Sequence, residues 1–290
     1  MSADSGHMLS SNGYVLDESD SRLGRLEPVP RRELGDRALL WERLRRDGYL
    51  YLRKALDPAY VMAFRRHYFE TLAESGLVNA GTDPADGISG AGDLDRARFR
   101  ELLFGRIVPG REYADFCTQP ALRDWFAWLF EADPFLHRRK IIRHGRPGEA
   151  GIGTATQAHY DLVYLREGTD RLLSAWIPLG DCPLARGGLT YLEGSHHVVR
   201  RHEASERRQH PAASITADLP ALAEQHDARW LVADYEAGDV VVHSPHIVHA
   251  SLDNTDPDGV MRLSTDIRYQ RRDDPIDWRW GQDWHIDDGL

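Results

Sequence analysis

The chain has 290 residues, 41% of them hydrophobic, and a net charge of −10. That length suits one large domain or two small ones, and that apolar content excludes a disordered polypeptide. The acidic balance argues against nucleic acid as the main partner, because phosphate binding needs a basic surface. A small anionic ligand needs only a local basic pocket and stays open. Cys117 and Cys182 are too few for a disulfide framework or a thiolate zinc site, and read as reduced residues of a cytoplasmic protein. No basic stretch leads into an apolar N-terminal run, and no run is apolar for the ~20 residues a membrane helix needs, so no membrane segment is expected.

Residues 1–30 are expected to be a flexible tail, because the start is rich in Ser, Asp and Gly. A single domain over 31–290 follows. Glu33 to Asp47 reads as a helix that Gly48 stops, and Tyr49 to Leu52 as a short strand. Asp57-Pro58 supplies an N-cap and a first-turn proline. Val61, Phe64, Tyr68 and Leu72 then recur at helical spacing. Asn79 to Asp93 is glycine-rich and reads equally as a mobile lid or a plain connector. Helices are expected at Leu94 to Phe104 and Ala121 to Phe130, and then strand character takes over. Phe135 to Arg143 reads as one strand, with Arg139, Ile141 and Arg143 on one face. Many short strands at these spacings suggest a sandwich or barrel. Asp274 to Leu290 holds Trp278, Trp280 and Trp284, and either folds back over the barrel or meets another subunit.

Gln157 to Tyr164 has strand character. Alternation across a strand would bring His159 and Asp161 to one face and turn Tyr160 away. An imidazole and a carboxylate on one face are two of the three ligands of a facial triad that leaves open positions on non-haem iron. Three histidines downstream compete for the third place: His243, His246 and His249. His243 is expected near the rim and His246 in a turn. Another alternating strand covers Met261 to Tyr269, with positions 262, 264, 266 and 268 on one face.

The order His-x-Asp, distal His, then Arg resembles the phytanoyl-CoA dioxygenase family of Fe(II)/2-oxoglutarate oxygenases, in particular its bacterial small-molecule hydroxylases. The resemblance runs from about Asp47 to about Tyr269. It includes Ala175-Trp176-Ile177-Pro178-Leu179 and the stretch from Gly187 to His196. It implies a mainly β fold: a double-stranded β-helix, the jelly-roll form, braced by N-terminal helices. It selects His249, followed by Ser251 and Asn254, as the third ligand of Fe(II) beside His159 and Asp161. It also implies 2-oxoglutarate as cosubstrate and dioxygen as oxidant. Arg262 then aligns with the arginine that holds the far carboxylate of 2-oxoglutarate, Ser251 with a hydroxyl donor to it, and Trp176 with a bordering aromatic. Arg268, on the same strand face, is the rival to Arg262. Related iron halogenases lack the carboxylate that Asp161 supplies, so its presence favours hydroxylation. The implied reaction converts 2-oxoglutarate to succinate and carbon dioxide while a small organic metabolite is hydroxylated. Arg143 aligns with an arginine that meets an anionic substrate group, and Gln157, on the His159 face, is placed to hydrogen-bond substrate or cosubstrate. The reading from a different class is a jelly-roll isomerase or ligand-binding barrel that holds a metal without redox turnover. Such a barrel would need neither Arg262 nor Ser251.

Overall fold

The computed structural model describes residues 8–149, 151–206 and 213–287. Residues 1–7 of the expected tail lie outside this range, but the rest of that tail does not hang free. Ser10–Ser11 (β1) and Tyr14–Val15 (β2) form a hairpin, and Leu23–Arg25 (β3) joins a sheet. The cause is one carboxylate. Asp253 accepts from the Ser10 hydroxyl at 2.8 Å and from the N–H groups of Asn12 at 2.8 Å and Gly13 at 3.0 Å. Polar residues that suggested disorder have found a largely buried acceptor instead.

The N-terminal helices follow from their caps. Asp36 accepts from Leu39 N–H, and Gly48, left-handed at φ 82°, closes α1 (Arg37–Asp47). Asp57 accepts from Ala59 N–H, and Pro58 opens α2 (Pro58–Leu72). Next come α3 (Arg96–Leu102), α4 (Arg111–Cys117) and α5 (Pro120–Phe130). The seven-residue α4 is too short to show a periodic signal in the sequence.

The other strands, in chain order, are β4 (Tyr49–Leu52), β5 (Pro134–Leu136), β6 (Ile141–Gly145), β7 (Leu173–Pro178), β8 (Leu189–Leu192), β9 (Trp230–Val232), β10 (Val240–His243), β11 (His249–Ser251) and β12 (Arg262–Arg271). The larger sheet runs β4-β10-β7-β12-β5, with β6 also paired to β12, and the smaller runs β11-β8-β9-β3. Two facing sheets with helices packed outside make this a mainly β, jelly-roll architecture. The single strand expected from Phe135 to Arg143 is broken between β5 and β6. His137 N–H donates to Arg268 O there, and Arg139 N–H to Trp280 O, so the break is bound to β12 and to the C-terminal segment.

Alternation sorts each strand of the larger sheet into two layers. Leu50, Leu52, Ala175, Ile177, Val240, Val242, Leu263 and Ile267 face α2 and α5, where Phe64, Tyr68 and Phe126 complete the main core. Tyr49, Tyr51, Trp176 and Val241 face the smaller sheet and pack on Leu189, Tyr191 and Leu231. The outer face of the smaller sheet is covered by α6 (Ser195–Glu206) and α7 (Leu219–His226), through Val199, Leu219 and Leu222.

The 79–93 segment is pinned to this frame. Arg65 of α2, buried, donates to the carbonyls of Ala85, Asp86, Leu179 and Met261 at 2.7–3.2 Å. Val78 bridges Ser89, and Ile88 bridges Val260. Replacing Arg65 by Ala leaves four carbonyls without their charged donor. We expect a loss of about 3 kcal/mol or more in denaturant unfolding, and new protease cutting within residues 79–93. His144 supplies a pH test. Burial pushes its imidazole down to about 4, while Tyr68 OH lies 2.8 Å from Nδ1. The unfolded chain takes up this proton near pH 6.5 and the folded chain does not, so stability is lost as pH falls from 6.5 towards 4. In His144→Gln the slope of unfolding free energy against pH should fall over that window by up to about 1.4 kcal/mol per pH unit.

Candidate active site

Ala158 and His159 are extended, bridging Thr216 and His249 respectively. The expected strand ends there, and the chain turns into a 3-10 helix over Asp161–Tyr164. Leu162 N–H donates to Pro245 O at 2.9 Å, which takes it away from any strand partner. The alternation holds over the residues that matter. Tyr160 points away and donates to Glu203 Oε1 at 2.6 Å, whereas His159 and Asp161 line the space between the sheets.

His249 opens β11 opposite Tyr191 of β8. His159 N–H donates to His249 O at 3.0 Å, and His249 N–H to His159 O at 2.9 Å, which sets the two rings 4.3 Å apart by centroid. His159 Nδ1 lies 2.8 Å from Gln157 O, and His249 Nδ1 lies 3.1 Å from Ile247 O. A carbonyl only accepts, so Nδ1 carries the proton and Nε2 presents its lone pair inward. Each Nε2 is 3.8 Å from Asp161 Oδ1, and the three ligand atoms lie within 4.8 Å of one another. Burial pushes both imidazoles below their ordinary pKa, which keeps them neutral. Burial alone would raise Asp161, but the charge of Arg268, aided by the hydrogen bond to His243, outweighs it and holds the carboxyl well below its usual range. One carboxylate and two neutral imidazoles with converging lone pairs form a facial donor set.

Asp161 is held from behind as well. The Ser174 hydroxyl donates to Oδ2, His243 Nε2 lies 3.3 Å from the same oxygen, and Arg268 Nη2 donates to Oδ1 at 2.8 Å. His243 is therefore not at the rim. It ends β10 in phase with the inward Val241, is fully buried, and spans Asp161 and the Tyr191 hydroxyl, 3.1 Å from Nδ1. His246 sits in the turn, with Nδ1 3.2 Å from Ser244 Oγ.

The cavity has a volume of about 290 Å³. His159, Asp161, His249, Gln157, Trp176, Arg143 and Arg262 all line it. Ser251 does not: it is fully buried beneath Thr156, whose N–H it accepts at 2.7 Å, and Thr156 is the residue that reaches the cavity. The two rival arginines differ in their partners. Arg268 donates to Asp161 and, at 2.5 Å, to Asp266 Oδ2. The buried Nε of each has no hydrogen-bond partner among the described residues, but Arg262 donates only to Ser264 Oγ, at 3.1 Å, and pairs with no carboxylate among them. Across the strand pair, Gly145 leaves room for this guanidinium, since a Cβ there would come 3.3 Å from Nη2.

The sequence pattern of the phytanoyl-CoA dioxygenase (PhyH) family matches residues 44–262. The chain belongs to this family. It is similar to 1-deoxypentalenic acid 11-beta-hydroxylase of Streptomyces exfoliatus, at 29% identity over 244 residues and 82% of each chain. The enzyme of the same name from Streptomyces arenae is 26% identical over 242 residues, again with 82% of each chain covered. Two solved structures share the fold. The non-heme alpha ketoglutarate dependent carbocyclase SnoK from nogalamycin biosynthesis gives a TM-score of 0.59 at 23% identity, over 91% of this chain and 92% of that one. EctD from S. alaskensis, with 2-oxoglutarate and 5-hydroxyectoine, gives 0.55 at 18% identity, over 91% and 88%.

The stretch matched to the phytanoyl-CoA dioxygenase family ends at Arg262, so several cavity residues lie beyond it. Ser264, Asp266 and Arg268 follow from alternation along β12 once Arg262 is placed inward. Trp280 carries no such signal. It arrives in a short C-terminal turn over Trp278–Trp280, and its indole N–H donates to Tyr164 O at 3.2 Å. Among the described residues, no helix is long and apolar enough to cross a membrane.

Proposed function

We propose that this protein is an Fe(II)- and 2-oxoglutarate-dependent dioxygenase that hydroxylates an unactivated carbon of a small organic metabolite. One observation carries the reading. His159 Nε2, Asp161 Oδ1 and His249 Nε2 converge in a cavity that also holds an arginine, Arg262, with no carboxylate within ion-pair distance among the described residues.

The residues fit both groups. Two imidazole nitrogens and one carboxylate oxygen suit a non-haem iron with open positions. A buried guanidinium with an unpaired Nε suits the far carboxylate of 2-oxoglutarate, because its planar fork donates two parallel hydrogen bonds. When bound, iron and 2-oxoglutarate supply the oxidising power: dioxygen is consumed, the cosubstrate leaves as succinate and carbon dioxide, and one oxygen atom goes to the substrate carbon. The chain's own residues position the reactants and keep water out. Gln157 and Ile247 carbonyls fix the ring orientation of His159 and His249, and Ser174 and His243 fix Asp161. Trp176 and Leu189 wall the cavity, and Ser251 acts one step back by holding Thr156.

An anionic substrate group fits the remaining charge. Arg139, Arg143, Arg262 and Arg268 line the cavity with two carboxylates, Asp161 and Asp266, and a 2-oxoglutarate dianion would offset a divalent metal. The arginines outnumber the carboxylates by two, and Arg143 is exposed in the cavity, 3.4 Å from Thr156 Oγ1. The relatives in Streptomyces are named for an acid, in line with this.

Anaerobic titration with Fe(II) and 2-oxoglutarate should develop a visible charge-transfer band. His159→Ala or His249→Ala should abolish iron binding while circular dichroism stays native; unchanged iron stoichiometry in His249→Ala would move the third ligand to His243 or His246. Arg262→Ala removes a buried charge-assisted pair of about 2–5 kcal/mol, so the apparent 2-oxoglutarate constant should rise tens-fold or more with iron retained. The same phenotype in Arg268→Ala alone would give that role to Arg268. Succinate release should respond to carboxylated compounds over neutral ones, and Arg143→Ala should erase that preference. An unaltered preference would dismiss Arg143 as the anion site.

A further inference from the structure

Asp266 has no place in the facial set, yet it sits at its edge. It lines the cavity on the inward face of β12, opposite Trp176 of β7 and Ile141 of β6. Its Oδ2 accepts from Arg268 Nη2 at 2.5 Å, and its Oδ1 is buried with no hydrogen-bond partner among the described residues. The Asp266 carboxylate is therefore directed at Arg268. That same Nη2 atom also donates to Asp161 Oδ1 at 2.8 Å, the oxygen nearest both histidine Nε2 atoms. One nitrogen thus divides itself between a candidate metal ligand and a second carboxylate.

The guanidinium of Arg268 has two further contacts, although its buried Nε has no hydrogen-bond partner among the described residues. Its Nη1 donates to Asp266 O at 3.1 Å, and its guanidinium carbon lies 5.1 Å from the centre of the Trp280 ring. A guanidinium clamped by a strand carbonyl, a carboxylate and an indole face has little freedom to move. Its charge matters because a cation hydrogen-bonded to Oδ1 competes electrostatically with any metal at that oxygen. A second carboxylate on the same nitrogen offsets that competition, and a neutral partner does not.

Resting on the reading of His159, Asp161 and His249 as the metal site, we propose that Asp266 is a positioning residue that acts through Arg268, drawing its charge away from Asp161 and so permitting tight divalent-metal binding. Partners one step removed from a metal, as Arg268 is, are worth about 10- to 100-fold in affinity, and Asp266, one step further, is expected at the lower end of that range. Asp266→Asn is nearly isosteric, removes the charge and keeps one acceptor oxygen, which leaves Arg268 with Asp161 as its one anionic partner among the described residues.

Mn(II) binding, read as free Mn(II) by electron paramagnetic resonance, tests this without turnover. Asp266→Asn should weaken Mn(II) about tenfold or more. In an Arg268→Gln background the same substitution should change the affinity by less than about twofold, because the residue through which Asp266 acts is gone. An equal loss in both backgrounds would mean that Asp266 acts on the metal directly, and no loss in either would mean that it does not act at all; both overturn the proposal. If Asp266→Asn does not fold, Asp266→Glu serves, since it keeps the charge but displaces the carboxylate from Nη2. A loss beyond about threefold in the Arg268 background alone is then expected, and any other pattern overturns the idea. A wild-type protein whose Mn(II) affinity is untouched by His159→Ala would instead refute the metal site itself.

Discussion

His159 and His249 exchange both of their backbone hydrogen bonds, and this exchange joins a loop to a sheet far away in the chain. In such a pair the two side chains leave on the same side, so the imidazoles come to lie next to each other through main-chain geometry alone. The neighbouring contacts extend the effect. β8 holds the other edge of β11, and the Pro245 carbonyl captures Leu162 N–H just beyond Asp161. That capture bends the chain into its 3-10 turn and directs Asp161 at both rings. If the pair opened, the donor set would separate even with every side chain intact.

Around this pair, charge decides what each arginine is free to do. Arg262 and Arg268 share one face of one strand, and alternation alone cannot tell them apart. Arg268 lies opposite Ser174, beside Asp161, and both of its anionic neighbours draw on its Nη2. Arg262 lies opposite Gly145, where a missing side chain makes space, and it pairs with no carboxylate among the described residues. One guanidinium is part of the frame, and the other remains available to a ligand.

Much of this was legible in the sequence wherever period-two alternation governs. Positions 262, 264, 266 and 268 share a face as the pattern requires, as do Arg139, Ile141 and Arg143 despite the broken strand. His243 was misplaced because the β10 phase, continued two residues past Val241, turns it inward. Ser251 has the expected phase, but Thr156 stands between it and the cavity, and that contact joins remote segments. The glycine-rich run at 79–93 suggested mobility. Gly87 of that run, with Gly180 from outside it, instead makes room for Arg65: a Cβ at Gly87 would come 2.3 Å from its Nη2, and one at Gly180 would come 3.1 Å from its Nη1. The N-terminal tail looked free because its anchor, Asp253, lies near the other end of the chain.

Along β12, Arg262, Ser264, Asp266 and Arg268 point into the cavity, while Leu263, Ile267 and Tyr269 point into the helix-packed core. A strand built this way has no tolerance for a shift of one residue. A single insertion or deletion within it would drive charged side chains into the core and greasy ones into the cavity, losing fold and chemistry together. Along this strand, descendants can therefore change the cavity only by point replacement at every second position, and the steps between those positions are closed to them.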